Sequence, residues 1–195
     1  MRSRTLAALF LALPLSLSWG GLAFAQTRSL GSPTDLMAAL KVGQWIKLTG
    51  PAGREPTVMC TEAKMLTGDF VDGDWQITGD VRRVDVQRRT LSIFTLPARL
   101  GEGAYFRGPT EEFKGLAQVR PGMFLNVEGT YLKDGTFVVK KVSEKSVELL
   151  EKPDHRGHVF VRGRIDRIDA GRRSLTVMGI TFVITPATRV KSVIR

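Results

Sequence analysis

Apolar and polar positions alternate along most of this chain, and the alternation comes twice. Val58 and Cys60, and later Phe137 and Val139, stand between polar or outward positions, the period-two pattern of a strand with one face in a core. Trp45, Ile46 and Leu48 mark a strand between two glycine-bearing turns, as do Phe124, Leu125 and Val127. Lys133-Asp134-Gly135 reads as a tight hairpin turn, since glycine supplies the positive φ that such turns require. Asp85 to Arg89 and Asp169 to Arg173 join two further strand pairs, each turn opened by an aspartate. Beside the mid-strand Gly79 and Gly163 the spacing slips: Val81 to Val84 and Ile165 to Ile168 are three apart. A one-residue bulge restores the inward face after such a slip, and the bend suits a small closed barrel.

The repeat is explicit. Val42–Gly50 lies on Pro121–Gly129 with an offset of 79, which also holds for Pro56–Ala63 against Gly135–Val142. Ile77–Asp85 then lies on Val161–Asp169, and Arg88–Ile93 on Arg172–Val177, with an offset of 84. A five-residue insertion ending near His158 accounts for the change, so the chain carries two copies of one supersecondary unit. Ser32 and Pro33 open a short helix that continues through Asp35 to Leu40. Thr110–Gln118 is predicted as its counterpart, with Phe113 and Leu116 on one side.

From 75 to 145 the order is strand, strand, short strand, helix, strand, strand, which is that of the OB barrel. The predicted fold is therefore all-β with short helices: two OB-like five-stranded barrels from an internal duplication. A nested division is favoured, with a central barrel at 75–145 and a second formed by 33–66 plus 158–195. The alternative is a tandem pair, 33–108 and 109–195, which has more local contacts. Trp45 close to Val159–Ile168 supports nesting; Trp45 close to Ile77–Val84 supports the tandem arrangement.

The first residues read as an address. Met1–Arg4 is basic, Leu6–Leu17 is an apolar run broken by Pro14 and Ser16, and Ala23 and Ala25 flank Phe24. These predict a signal peptide over 1–25, cleaved after Ala25, then a flexible N-terminus over 26–32. The run is too short and broken for a bilayer-spanning helix, so no transmembrane anchor is expected after cleavage. The mature protein is expected in the periplasm or secreted.

Composition narrows the chemistry. Lys and Arg number 29 against 19 Asp and Glu, and loss of Arg2 and Arg4 still leaves 27 basic side chains. Such a surplus favours anionic partners. Cys60 is the single cysteine and takes the place of Val139 in the other copy, which predicts a core position. His155 and His158, the only histidines, lie three apart in the inserted linker without further ligands, so solvated side chains are expected and no metal. Asp72-Gly-Asp74 lacks the remaining oxygens of a calcium loop and reads as a turn. Signatures of seryl hydrolases, dinucleotide binding and phosphate loops are absent, so no catalytic residue, no cofactor and no enzyme is expected.

The arginines carry the candidate site. Arg82, Arg83, Arg88 and Arg89 belong to the first hairpin; Arg164, Arg167, Arg172 and Arg173 belong to its repeat. Guanidinium groups hold phosphate and carboxylate in bidentate fashion. Trp75 and Phe160 begin the same strands and are expected to stack on a base or sugar ring. Charge on the wet face of a hairpin also blunts edge-to-edge pairing, a purely structural use of the same residues.

Gly163 to Asp169, Ser174 to Val177, Gly179, Val183 to Thr185 and Thr188 form one pattern; Gly122 to Gly129, Asp134-Gly135 and Val142 form another. With them the chain resembles an uncharacterised family of exported bacterial domains, a domain of unknown function that forms small OB-like barrels, often several per chain. The resemblance spans about residues 42 to 190. Its motifs are glycine and apolar positions, so it implies fold and export and assigns no catalytic residue. The first copy departs at Arg54-Glu55-Pro56, where Asp-Gly is expected, and at Cys60.

The expected function is a non-enzymatic exported binding module that engages an anionic ligand or cell-envelope partner through its arginine-rich hairpins. Lipid phosphate, lipopolysaccharide and acidic glycan are the partners favoured over nucleic acid. The first alternative is a structural or assembly protein of the envelope that acts by protein–protein contacts. A metal-dependent enzyme centred on His155 and His158 stands last.

Overall fold

The computed structural model describes residues 33–194. The signal peptide expected over 1–25 and the segment 26–32 lie outside the described residues. The chain is mostly β. It runs α1 (Pro33–Ala39), β1 (Trp45–Pro51), β2 (Thr57–Thr67), β3 (Trp75–Asp85), β4 (Thr90–Ile93), β5 (Leu96–Arg107), β6 (Phe124–Tyr131) and β7 (Phe137–Glu144). Then follow α2 (Ser146–Glu151), β8 (His158–Arg164), β9 (Arg167–Asp169), β10 (Ser174–Val177) and β11 (Ile180–Ile194). Among the described residues, these strands form one 11-stranded sheet in the order β4-β5-β7-β6-β3-β8-β1-β2-β11-β10-β9.

Five of the strands close into a barrel. β3 pairs with β6 through Trp75–Asp80 and with β4 through Val81–Asp85, and β4, β5, β7 and β6 complete the ring. One strand serves two neighbours because it bends where the alternation slips. Its register on β4 shifts between Val81 and Arg83, the bulge expected after Gly79. Ile77, Val81, Leu91, Ile93, Leu125, Val127, Phe137, Val139 and Val142 point inward and are buried. Each large side chain contributes about 1.5–3 kcal/mol by leaving water.

The remaining strands repeat many of those pairings at equivalent positions. Ala98 opposite Phe137 in β5–β7 has its equivalent in Phe182 opposite Val58 in β11–β2. Asp85 opposite Thr90 corresponds to Asp169 opposite Ser174. The parallel ladders also slip at equivalent places, between Leu100 and Tyr105 and between Ile184 and Arg189. Trp45 pairs with Arg164, so β1 runs beside β8.

β3 and β8 join the two sets, with Gln76 opposite Arg162, Ile77 opposite Val161 and Thr78 opposite Phe160. Ile77 and Val161 are equivalent positions in the repeat, so the pairing is self-complementary, like an isologous interface within one chain.

Two local expectations need correction. Thr110–Gln118 is not a helix: only Leu116–Gln118 coils, as a single 3-10 turn. Gly115 stands in the middle of the segment, where glycine is costly to a helix, and Phe113 packs on Phe106 at 5.7 Å instead. The third strand of each copy is not short either, since β5 and β11 span 12 and 15 residues. The first part of each is flanked on one side by an antiparallel ladder and on the other by a parallel one, and the parallel ladder alone resumes beyond the irregularity. The inserted stretch contains α2 and a 3-10 turn, Pro153–His155.

Candidate functional site

The β3–β4 hairpin is built by its aspartate. Asp85 Oδ1 accepts the Arg88 amide at 2.9 Å, which closes the turn. Arg89 then adopts φ 54°, an uncommon left-handed value for a residue with a side chain, and its carbonyl accepts the Leu100 amide at 2.9 Å. The second copy matches: Asp169 Oδ1 accepts Arg172 N at 2.9 Å, Arg173 has φ 50°, and its carbonyl accepts Ile184 N at 2.7 Å.

The bulge turns both Arg82 and Arg83 outward. With Arg88 they line a cleft of about 510 Å³, whose walls include Thr90, Ser92, Phe94 and Pro97. Arg88 Nε is 3.8 Å from Asp85 in an exposed pair, which is worth little in water. An Arg82 amine donates to the Gly53 carbonyl at 3.4 Å. Arg89 is exposed and lies outside the cleft, with a bond to the Gly101 carbonyl at 3.3 Å.

In the second hairpin Arg167 and Arg172 are exposed and Arg173 is half-buried. Arg172 Nε sits 3.9 Å from Asp169. Arg164 does not join them: it pairs with Asp72 at 3.2 Å and lies over the Trp45 ring at 5.5 Å. The structure thus brings Arg82, Arg83 and Arg88 together and holds Arg164 apart.

Trp75 is not a stacking platform. It is 6% exposed, 5.2 Å from Trp45 and 5.5 Å from Tyr131, and it fills the space that Gly163 leaves by having no Cβ. Its parity with the inward Ile77 was the signal available in the sequence. Phe160 has the opposite parity and faces outward, half-buried, between His155 at 4.7 Å and Phe124 at 6.3 Å.

That outward parity places Phe160 in a groove of about 370 Å³ over the β3–β8 junction. Lys47 and Thr49 of β1, Glu62 and Lys64 of β2, Gln76 and Thr78 of β3, and Asn126 of β6 form its floor. Lys145, Glu148, Lys152 and His155 wall it from the linker. Asn126, 5% exposed, anchors a polar network: its Oδ1 accepts Thr78 Oγ1 at 2.9 Å and Gln76 Nε2, and its Nδ2 donates to Glu128 at 3.0 Å. Glu62 pairs with Lys64 at 2.8 Å and Lys191 at 2.9 Å. Burial pulls its carboxyl pKa upward, but bonds from the two lysines outweigh burial and hold it below the ordinary value. Lys47 is shifted down, by burial first and by neighbouring Lys64 and Arg162 second.

His155, expected in solvent, is half-buried instead, its Nδ1 3.3 Å from Glu148. The 3-10 turn of the insertion seats its ring 4.7 Å from Phe160, a tertiary contact that the linker sequence does not announce. Among the described residues, no group of three or more His, Cys, Asp or Glu side chains is placed to hold a metal. Cys60 is buried as Val139 is, donates to the Glu62 carbonyl at 3.3 Å, and burial pushes its thiol pKa up to about 12.

Residues 162–194, from the end of β8 through β11, match the family model of a domain of unknown function (DUF5666). This stretch includes the Gly163–Asp169 and Ser174–Val177 motifs. No curated protein matches the chain. No solved structure matches it.

Proposed function

We propose that this protein is an exported, non-enzymatic binding module of two nested OB-like barrels, and that it holds an anionic component of the cell envelope on the β3–β4 hairpin. One observation carries the reading: Arg82, Arg83 and Arg88 line a single cleft whose nearest ion pair to a carboxylate is 3.8 Å long and exposed. Charge placed there without firm internal neutralisation is available to a phosphate or carboxylate. Arg167 and Arg172, exposed on the equivalent hairpin, supply a second point of contact for an extended polyanion.

The two-barrel division rests on the pairing of Trp45 with Arg164 and on the equivalent registers of the two strand sets. In this reading β8 and β9 act as one bent strand, interrupted at Ile165 and Asp166 where β3 has its bulge. The module works in the periplasm or outside the cell once residues 1–25 are removed.

The test is binding of the purified protein to lipopolysaccharide, anionic vesicles and an acidic glycan at several salt concentrations. The triple variant Arg82→Ser, Arg83→Ser, Arg88→Ser is expected to lose most affinity and to flatten the salt dependence. Unchanged retention of the variant at low salt removes the reading. A salt-insensitive complex with an envelope protein, in its place, points to an assembly role.

A further inference from the structure

We propose that the groove over the β3–β8 junction is a second, separate site that takes an acidic monosaccharide unit, a hydroxyl-bearing ring with one carboxylate or phosphate. It does not rest on the arginine hairpins, because none of their residues lines it.

The charge balance of the groove points to an anion. Both carboxylates that line it already face ammonium groups: Glu62 those of Lys64 and Lys191, and Glu148 that of Lys145 at 3.4 Å. Lys47 has no carboxylate within ion-pair distance among the described residues, although it is half-buried on the groove floor. Burial first, and the like charges of Lys64 and Arg162 second, outweigh the pull of Glu62 and Glu148 and make its ammonium costly as it stands. A ligand carboxylate or phosphate against Lys47 offsets that cost.

The rest of the lining suits a sugar ring more than a bare ion. Thr49 and Thr78 present hydroxyls and Gln76 an amide, held in place by the buried Asn126, a set that matches alcohol groups as donor and acceptor. Phe160, with Lys47 Nζ 5.9 Å from its ring centre and His155 beside it, gives the lining an apolar surface for the C–H face of a sugar ring. The volume, about 370 Å³, is near the lower limit for ligand sites and fits one sugar unit better than a stretch of polymer.

The fold explains why the site exists once. The junction sits where the two copies face each other, yet equivalent positions differ: Gln76 answers Phe160, Asn126 answers Lys47, and Ser143 answers Lys64. One half of the face has become a network of amides and hydroxyls, and the other half carries the ammonium groups and the ring. The inserted linker walls this groove and, through Lys145, Glu148 and Lys152, also the neighbouring cleft lined by Arg107 and Lys141.

The experiment is calorimetric and NMR titration of the purified protein with D-glucuronate, glucose 6-phosphate, glucose and inorganic phosphate. One of the two acidic sugars is expected to bind saturably, and which one binds tells carboxylate from phosphate. Glucose is expected to bind at least tenfold more weakly. Lys47→Met should weaken the acidic sugar at least tenfold, and Phe160→Leu, chosen because it keeps apolar contact with Phe124, should weaken it severalfold. The Arg82, Arg83, Arg88 triple variant should bind the sugar normally, so failure of the hairpin reading and failure of this one are distinguishable. No saturable binding of either acidic sugar overturns the proposal. So does a folded Lys47→Met variant with unchanged affinity, or inorganic phosphate bound as tightly as the sugar.

Discussion

Ile77 and Val161 stand opposite each other at the centre of the β3–β8 ladder, and they are the same position in the two copies of the repeat. Both are fully buried, one on each side of the junction. Because the sheet is continuous across this point, the two strand sets should melt together. Denaturant unfolding followed by tryptophan fluorescence and by far-UV circular dichroism is expected to give coincident single transitions. Ile77→Ala should lower stability by about 2–4 kcal/mol without splitting the transition. Two separated transitions would mean that the junction does not couple the halves.

Gly50 and Gly129 occupy equivalent places in β1 and β6 and pass closest to a neighbouring backbone. A Cβ at Gly129 would collide with the Val138 carbonyl oxygen, and one at Gly50 with that of Met59. Neither collision is relieved by turning a side chain, so Gly129→Ala is expected to destabilise by more than about 2 kcal/mol. Gly53→Ala, where nothing lies within 4 Å of the added methyl, is the control and should be within about 0.5 kcal/mol of the parent. Thermal denaturation of the pair of variants checks both numbers.

Glu62 links the groove floor to the end of the chain through Lys64 and Lys191. Its folded pKa lies below the ordinary value of 4.5, so its contribution is present above that value and is lost as the pH falls through the folded pKa. Glu62→Gln should cost about 1 kcal/mol at pH 7. The gap between variant and parent should close as the pH drops below 4.5. A gap that persists in acid would assign the loss to packing.

Cys60 should be inert in the folded protein. Buried, with its thiol pKa pushed up to about 12, it is expected to resist thiol reagents at pH 8 and to react once the chain is denatured. Cys60→Val, which copies the residue in the sister repeat, should leave stability within about 1 kcal/mol. Fast labelling of native protein would contradict the burial.

The two hairpins should not be equal partners for anions. Arg82, Arg83 and Arg88 share a cleft, whereas Arg164 is held by Asp72 and the Trp45 ring. Replacing the first three by Ser should reduce binding to an anionic matrix more than replacing Arg167, Arg172 and Arg173. Elution salt on a heparin column measures the difference. Equal loss from both sets would make net charge, not the cleft, the cause.

The strands were readable because each has a wet face and a dry one. The alternation at Val58 and Cys60, the slip beside Gly79 and the turn at Asp134-Gly135 are all encoded within a few residues, and each appears where it was expected. The failures have separate origins. Thr110–Gln118 has helical spacing, but Gly115 and the pull of Phe113 toward Phe106 decide against a helix. Trp75 looked like a free ring only because its inward parity with Ile77 was not followed.

Sequence alone determined the duplication, the strand pattern and turns, the core position of Cys60 and the surplus of positive charge. These follow from local periodicity and from comparison of the chain with itself. Tertiary structure decided the pairing of β3 with β8, the separation of Arg164 from Arg82, and the gathering of Lys47, Asn126, Phe160 and His155 around one groove. Those residues lie on strands far apart in the chain, and no local pattern records which outward faces will meet. Hydrogen bonding between two strand edges sets that, and it depends on the shape of both strand sets at once.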